Sequence, residues 1–209
     1  MGPKQGKKAK ISKKRILKAA RQVFAVHPFQ EATLRMIGKQ GGFEHPLIHY
    51  YFPSKSDLFE AVIKEITEEL ILANTEWFKG LDGKDVIKDL ATHLDRILEY
   101  NLINPEPFKI IFLNMSQVHI LKDIPGIQMI PLILAGTREN LKSHISFSGS
   151  EEEIIYLNSA FANIIVWYLG ANHCQAMVLG LDPLGREYRE WVKNAIMSIF
   201  IPLANKIVI

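Results

Sequence analysis

Cysteine is almost missing from this 209-residue chain. The single Cys174 excludes an intrachain disulfide and fits a reducing compartment. Other signals are missing too. There is no phosphate-binding glycine loop, no G-x-S-x-G nucleophile elbow and no His-Glu-x-x-His pair. These absences leave no catalytic candidate, so the chain is read as a non-enzyme without a cofactor or metal. Strand-like alternation is scarce throughout, which points to an all-α protein. The N-terminus has no apolar signal-peptide core, and a cytoplasmic location is the expectation.

Acidic residues are scarce in one region only. Residues 1–55 hold 12 Lys or Arg against two acids, Glu31 and Glu44. The remainder holds 13 basic and 20 acidic side chains. The small net charge of +3 therefore conceals a strongly basic N-terminal quarter. Such a split suits a chain whose one end meets a polyanion while the other stays clear of it. Charge is also absent from Ile154 to Leu181. Asn158, Ser159, Asn163, Asn172, His173 and Gln175 interrupt that run, which reads as a helix buried in protein and not as a membrane span.

The helical pattern is regular. Residues 1–10, rich in Lys and Gly, read as disordered. A helix is expected over 12–26, capped by Ser12, with Ile16, Ala20, Val23 and Phe24 on its inner side. Thr33 caps a short second helix, and the Gly41-Gly42 pair ends it. A third runs from about His45 to Tyr51, with Pro46 in its first turn. Ser54-Lys55-Ser56-Asp57 starts a fourth, 55 to about 78, whose apolar side holds Leu58, Val62, Ile66, Leu70 and Leu72. Further helices are expected at about 84–101, 106–118, 127–146, 151–175 and 185–206. Two domains follow: a basic tail with a three-helix unit over 1–54, and a larger helical domain over 55–209.

Three short helices with a two-glycine turn between the second and third make a helix-turn-helix, which can set its third helix into a DNA major groove. Phe43, Ile48 and Phe52 are spaced to face inward. His45, Pro46, Leu47, His49, Tyr50 and Tyr51 are left for solvent or DNA. The segments Arg15–Phe24, Ala32–Gly38 and Gly41–Phe59 together resemble the DNA-binding domain of TetR-family transcriptional regulators. Tyr51-Phe52-x-Ser54-Lys55-x-x-Leu58-Phe59 is the most specific stretch. The resemblance covers about 15–60. Glu44 stands where Ser or Thr is common, and His49 where Tyr is common.

The resemblance implies a sequence-specific DNA-binding regulator, most often a repressor, working as a homodimer on a palindromic operator. By position, Thr33 is the helix cap beside a phosphate and Arg35 a residue able to reach a base. His45, Pro46, Leu47, His49, Tyr50 and Tyr51 lie on the recognition helix. Lys55 is the lysine that holds the DNA backbone at the start of the fourth helix. Two recognition helices about one DNA turn apart (roughly 34 Å) would occupy adjacent major grooves. A ligand held among the middle helices would displace the fourth helix and change that spacing.

His45 and His49 have the four-residue spacing of zinc ligands, but His-Pro-Leu-Ile-His lacks the general base between them, and the groove-facing reading is preferred. His173-Cys174 diverge on a helix and make a poor metal pair. Asp85, Asp89 and Asp95 read as solvated helix faces. The last two long helices are the expected dimer interface. Ile154, Leu157, Phe161, Ile164, Ile165 and Tyr168 cover more than one face of the first. Leu184, Tyr188, Trp191, Val192, Ala195, Ile196, Ile199 and Phe200 form a stripe on the second. Trp77, Phe108, Phe112, Met115 and Trp167 are candidates to line a pocket for a small apolar effector, with His93 and Asn163 as its polar groups. The rival reading is an all-α small-molecule-binding protein or enzyme with no DNA function.

Overall fold

The computed structural model describes residues 3–115 and 124–208. Ten α-helices lie among these residues: α1 Pro3–Phe24, α2 Leu34–Gly41, α3 His45–Tyr51, α4 Lys55–Phe78, α5 Val86–Ile103, α6 Glu106–Met115, α7 Ile130–His144, α8 Glu151–Gly170, α9 Asn172–Leu179 and α10 Arg186–Ile207. No strand forms among the described residues; one isolated antiparallel bridge joins Phe147 to Val208. The all-α expectation holds.

Helix starts follow the capping residues. Thr33 accepts a hydrogen bond from the Met36 amide at 3.2 Å. Ser54 accepts from Asp57 at 3.1 Å, and Asp85 from Lys88 at 3.0 Å. Ser150 and Glu153 form a reciprocal capping box at the head of α8. Each satisfies an amide that has no partner within its helix.

Several boundaries differ from the sequence reading. The first helix begins at Pro3, so residues 3–10 are helical and Ser12 is not a cap. Lys, Gln and Ala are good helix formers, and proline at the first position loses no intrahelical bond. The expected 151–175 helix is two helices bent by 76°. The break falls at Ala171, just after Gly170, where a Cβ would stand 2.4 Å from the Cβ of Phe112 on α6. Helix 127–146 opens with a 3-10 turn, Ile127–Met129, before α7. The final residues of the expected 106–118 helix lie outside the described residues. Leu72 faces solvent on α4.

One apolar cluster runs continuously from Ile16 to Phe200. α4 is its spine. Its first half carries Leu58, Phe59 and Val62 into the same core as Phe24 of α1. Phe59 meets Phe24 edge-on at 4.7 Å and Phe29 at 4.9 Å between ring centroids. Its second half packs along α7 and α5, behind which stand the pairs α6–α8 and α5–α10. No single helix among the described residues is long and apolar enough to cross a membrane; the bent α8–α9 pair passes by length and composition only.

Candidate functional site

The α2–α3 turn is built on glycine. Gly42 has φ 66°, the left-handed region that costs a side-chain-bearing residue about 1–2 kcal/mol. A Cβ on Gly41 would lie 2.0 Å from the Phe43 ring. The turn therefore closes tightly, with the Phe43 amide donating to the Gly38 carbonyl at 2.8 Å.

That turn presents α3 on the surface. Ile48 and Phe52 are buried and pin it to the bundle. His45, Pro46, Leu47, His49 and Tyr50 are exposed, as are Thr33 and Arg35 on the neighbouring α2. Phe43 is only partly buried, beneath the Arg15 guanidinium at 5.3 Å. Tyr51 departs from the expectation of an outward ring: it is half-buried against the core and meets Tyr50 edge-on at 4.9 Å. His45 and His49 rings meet at 4.4 Å, and His49 Nδ1 lies 2.9 Å from the Pro53 carbonyl oxygen. Lys13, Lys14 and Lys18 of α1 and Lys39 of α2 add exposed cations to this end.

Lys55 sits differently from a free surface cation. Its ammonium donates to the carbonyls of Phe29 at 2.7 Å, Ala32 at 2.9 Å and Gln30 at 3.3 Å. It also lies over the Phe29 ring at 4.6 Å. Partial burial lowers its pKa from the ordinary lysine value. Three carbonyls occupy its three donors, so in this structure Lys55 clamps the α1–α2 loop to the head of α4. The same loop is tied to α6: the Phe29 amide donates to the buried Asn114 Oδ1 at 2.9 Å.

The second feature is a pair of apolar cavities in the helical domain. One, of about 90 Å³, lies among α4–α8 and is bordered by Trp77, His93, Phe108, Met115 and Asn163. The other, of about 80 Å³, lies between α4–α5, α7–α8 and α10. His93, Thr137 and Phe161 border both. Burial pushes His93 down to about 4; the Trp77 carbonyl, 3.4 Å from its Nδ1, opposes this, and Arg96 adds to it. His93 is therefore a neutral wall of the cavity near pH 7.

Comparison with known proteins bears on both features. The profile described as bacterial regulatory proteins, tetR family, matches residues 16–62. The helix-turn-helix segment is therefore similar to that of the TetR family, over less than half of the chain. A helix-turn-helix transcriptional regulator of Bacillus subtilis (strain 168), YdgC, is 32% identical over 121 residues, covering 54% of this chain. The match spans 60% of that relative's length. A TetR-family regulator from Agrobacterium tumefaciens shares the fold with a TM-score of 0.66 at 16% identity, covering 96% of this chain and all of that one. FadR from Bacillus subtilis, solved in complex with stearoyl-CoA, has a TM-score of 0.63 at 17% identity, covering 90% of this chain and 96% of that one.

The TetR profile ends at Val62, before the first cavity residue on α4. Two pocket expectations fail there. Phe112 and Trp167 border neither cavity. They pack edge-on at 5.4 Å, and Trp167 is 52% exposed. The close α6–α8 approach at Gly170 leaves no void between them, so both rings fill a surface seam instead. Sequence reasoning also missed residues. Asn74 is buried on the wall of the first cavity. Phe78, Leu90, Leu157 and Asn158 border the second. Asp89, read as solvated, accepts from the amides of Gly83 at 2.8 Å and Asp82 at 3.1 Å.

The apolar stripes expected at an interface are largely internal to this chain. Ile154, Ile165, Tyr188, Val192, Ile196 and Phe200 are buried within it. Leu184 and Ile199 of the expected stripe do face outward, together with Ile155, Tyr156 and Trp167 on α8 and Leu203 on α10.

Proposed function

We propose that the chain is a DNA-binding transcription regulator that reads a palindromic operator with α3 and works as a homodimer through α8 and α10. We read it as a repressor released by a small, largely apolar ligand held in the α4–α8 cavity. The observation that carries the DNA reading is the composition of α3. It is anchored by Ile48 and Phe52, yet leaves His45, Leu47, His49 and Tyr50 exposed together, beside Arg35. Two histidines, a tyrosine and a leucine on one free helix suit base edges and thymine methyls, and the surrounding cations suit phosphates. Lys55 contributes by fixing the loop in front of α2, which holds Thr33 and Arg35 in register.

Support for the dimer is the outward apolar set on α8 and α10, since such patches mark association surfaces. Support for a ligand is the apolar lining of the cavity. FadR, a protein of like fold, holds stearoyl-CoA.

The test is fluorescence anisotropy with duplexes tiled across the region upstream of the gene. One fragment is expected to bind well above the others, with affinity falling steeply as salt rises. Replacing His45 and Tyr50 by Ala together should weaken that fragment about tenfold or more and leave the weak binding of random DNA nearly unchanged. Equal binding of all fragments, or no salt dependence, would refute the reading.

A further inference from the structure

We infer that the ligand is an elongated, uncharged amphiphile: an apolar chain lying across both cavities, with one hydrogen-bond-accepting oxygen held by Asn74. This rests on the regulator reading for its biological role, but not for its chemistry.

Asn74 is 2% exposed and lies on the wall of the first cavity. Its Nδ2 finds no acceptor among the described residues. Of the described residues with such an unpaired buried side-chain atom, it alone borders either cavity. An unpaired buried donor costs stability that an apolar side chain at the same place would not. A ligand oxygen arriving in the cavity supplies the missing acceptor. Asn163, also on the wall of the first cavity, is exposed, so its amide can reach solvent, and two further polar wall groups are already engaged. Thr137 donates to the Ile133 carbonyl at 2.9 Å and Asn158 to the Leu134 carbonyl at 3.2 Å.

The walls also set the charge. Neither cavity is bordered by Lys or Arg among the described residues. The one carboxylate, Asp89, is turned to the amides of Asp82 and Gly83. A buried ligand anion or cation would meet no counter-charge, and burying an unpaired charge is prohibitive. The shape follows from the shared wall. The cavities are separated only by the shared wall of His93, Thr137 and Phe161, so an unbranched chain spans both once these side chains turn aside.

The experiment follows tryptophan fluorescence of the DNA-free, full-length protein, with Trp77 as reporter beside Asn74. Probes are octyl methyl ether, octane, octanoate, octylammonium and butyl methyl ether. Octyl methyl ether, which only accepts hydrogen bonds, is expected to bind tightest. It should exceed octane by about threefold to tenfold, the size of one net hydrogen bond. Asn74→Leu should abolish that preference and leave octane affinity unchanged or higher. The butyl ether should bind at least about tenfold more weakly than the octyl ether, since four methylenes are lost from burial. Equal affinity of wild type for the ether and octane overturns the role of Asn74, whether or not the variant folds. Tightest binding by octanoate or octylammonium overturns the uncharged ligand. Parity of the butyl and octyl ethers overturns the elongated one, and failure of every probe overturns the whole. Because no DNA is present, a protein that discriminates the ether from octane yet ignores all upstream duplexes refutes the regulator reading and leaves this inference standing.

Discussion

Replacing His93 by Gln should remove an acid-sensitive step from unfolding. The imidazole is 6% exposed, with Phe78 at 4.4 Å and Phe161 at 5.6 Å between ring centroids. Its ordinary value of 6.5 falls to about 4 in the fold, chiefly through burial, with Arg96 pushing the same way. The fold accepts the neutral ring, so this contribution is complete above 6.5 and drains as pH falls toward about 4. Between those limits the unfolded chain binds a proton that the native chain refuses. Fully developed, the gap amounts to about 3 kcal/mol, and at pH 5 to about 2 kcal/mol. At a slope of about 2 kcal/mol per molar urea, wild type should lose about 1 M of urea midpoint between pH 7 and pH 5 on this account alone. His93→Gln should lose correspondingly less over the same interval. Urea titrations followed by circular dichroism at one fixed protein concentration measure both. Equal losses for wild type and variant would refute the reasoning, since the other histidines are common to both proteins.

Lys55→Met separates an internal clamp from a DNA contact. It leaves the carbonyls of Phe29 and Ala32 without their donor and should lower stability by about 2 kcal/mol in thermal or urea unfolding. If Lys55 served chiefly as a phosphate contact, stability would hold and the salt dependence of DNA binding would shallow instead. Arg21→Met should cost about 2 kcal/mol in urea unfolding. It strips the partly buried Glu69 of its partner at 2.6 Å and leaves that carboxylate facing only the Tyr100 hydroxyl. A double variant that also carries Glu69→Leu should recover much of the loss, and no recovery would argue that Arg21 acts through packing alone.

The DNA-facing half was legible because its signals are local. Thr33, Gly41-Gly42, Pro46 and Ser54 each act within one turn of chain, and α2, α3 and α4 start and end where those residues place them. The inward face of Ile48 on α3 follows from period alone, whereas the half-buried Tyr51 does not. Tertiary choices were not legible. Nothing about Lys55 in sequence says that three carbonyls from residues 29–32 will surround it. The aromatic residues of the cavity domain are alike in composition, and only the packing of α6 on α8 decides that Phe108 borders the cavity while Phe112 does not. Asn74 gave no signal either, because an asparagine in mid-helix looks like a surface residue until its surroundings are known. The stripe around α10 was read correctly as apolar, but Tyr188, Val192, Ile196 and Phe200 are buried by the chain itself while Leu184 and Ile199 stay exposed: periodicity identifies an apolar face, but not whether the same chain or a second copy buries it.

Two chains of contacts join the cavity walls to the elements that hold α3, and both are specific. The first runs through Tyr100. Its ring stands 5.3 Å from Trp77 and 6.4 Å from Phe108, both cavity walls. Its hydroxyl donates to Glu69 of α4, whose other oxygen takes the Arg21 guanidinium of α1. Burial works against that guanidinium, but the hydrogen bond and charge of Glu69, with Glu106 behind it, hold its pKa above the ordinary arginine value. The second tie is Asn114 of α6, joined to the Phe29 amide in the loop that Lys55 also grips. Under the proposed ligand response, displacement of Trp77 or Phe108 would reach α1 through charged and hydrogen-bonded groups with defined geometry, not through a deformable apolar layer. Such groups either keep their partners or lose them, which favours two discrete arrangements over a graded one. A ligand can bias the choice only by its difference in affinity for the two arrangements. A compound that fills the cavity without moving Trp77 or Phe108 would bind tightly and leave α3 where it is.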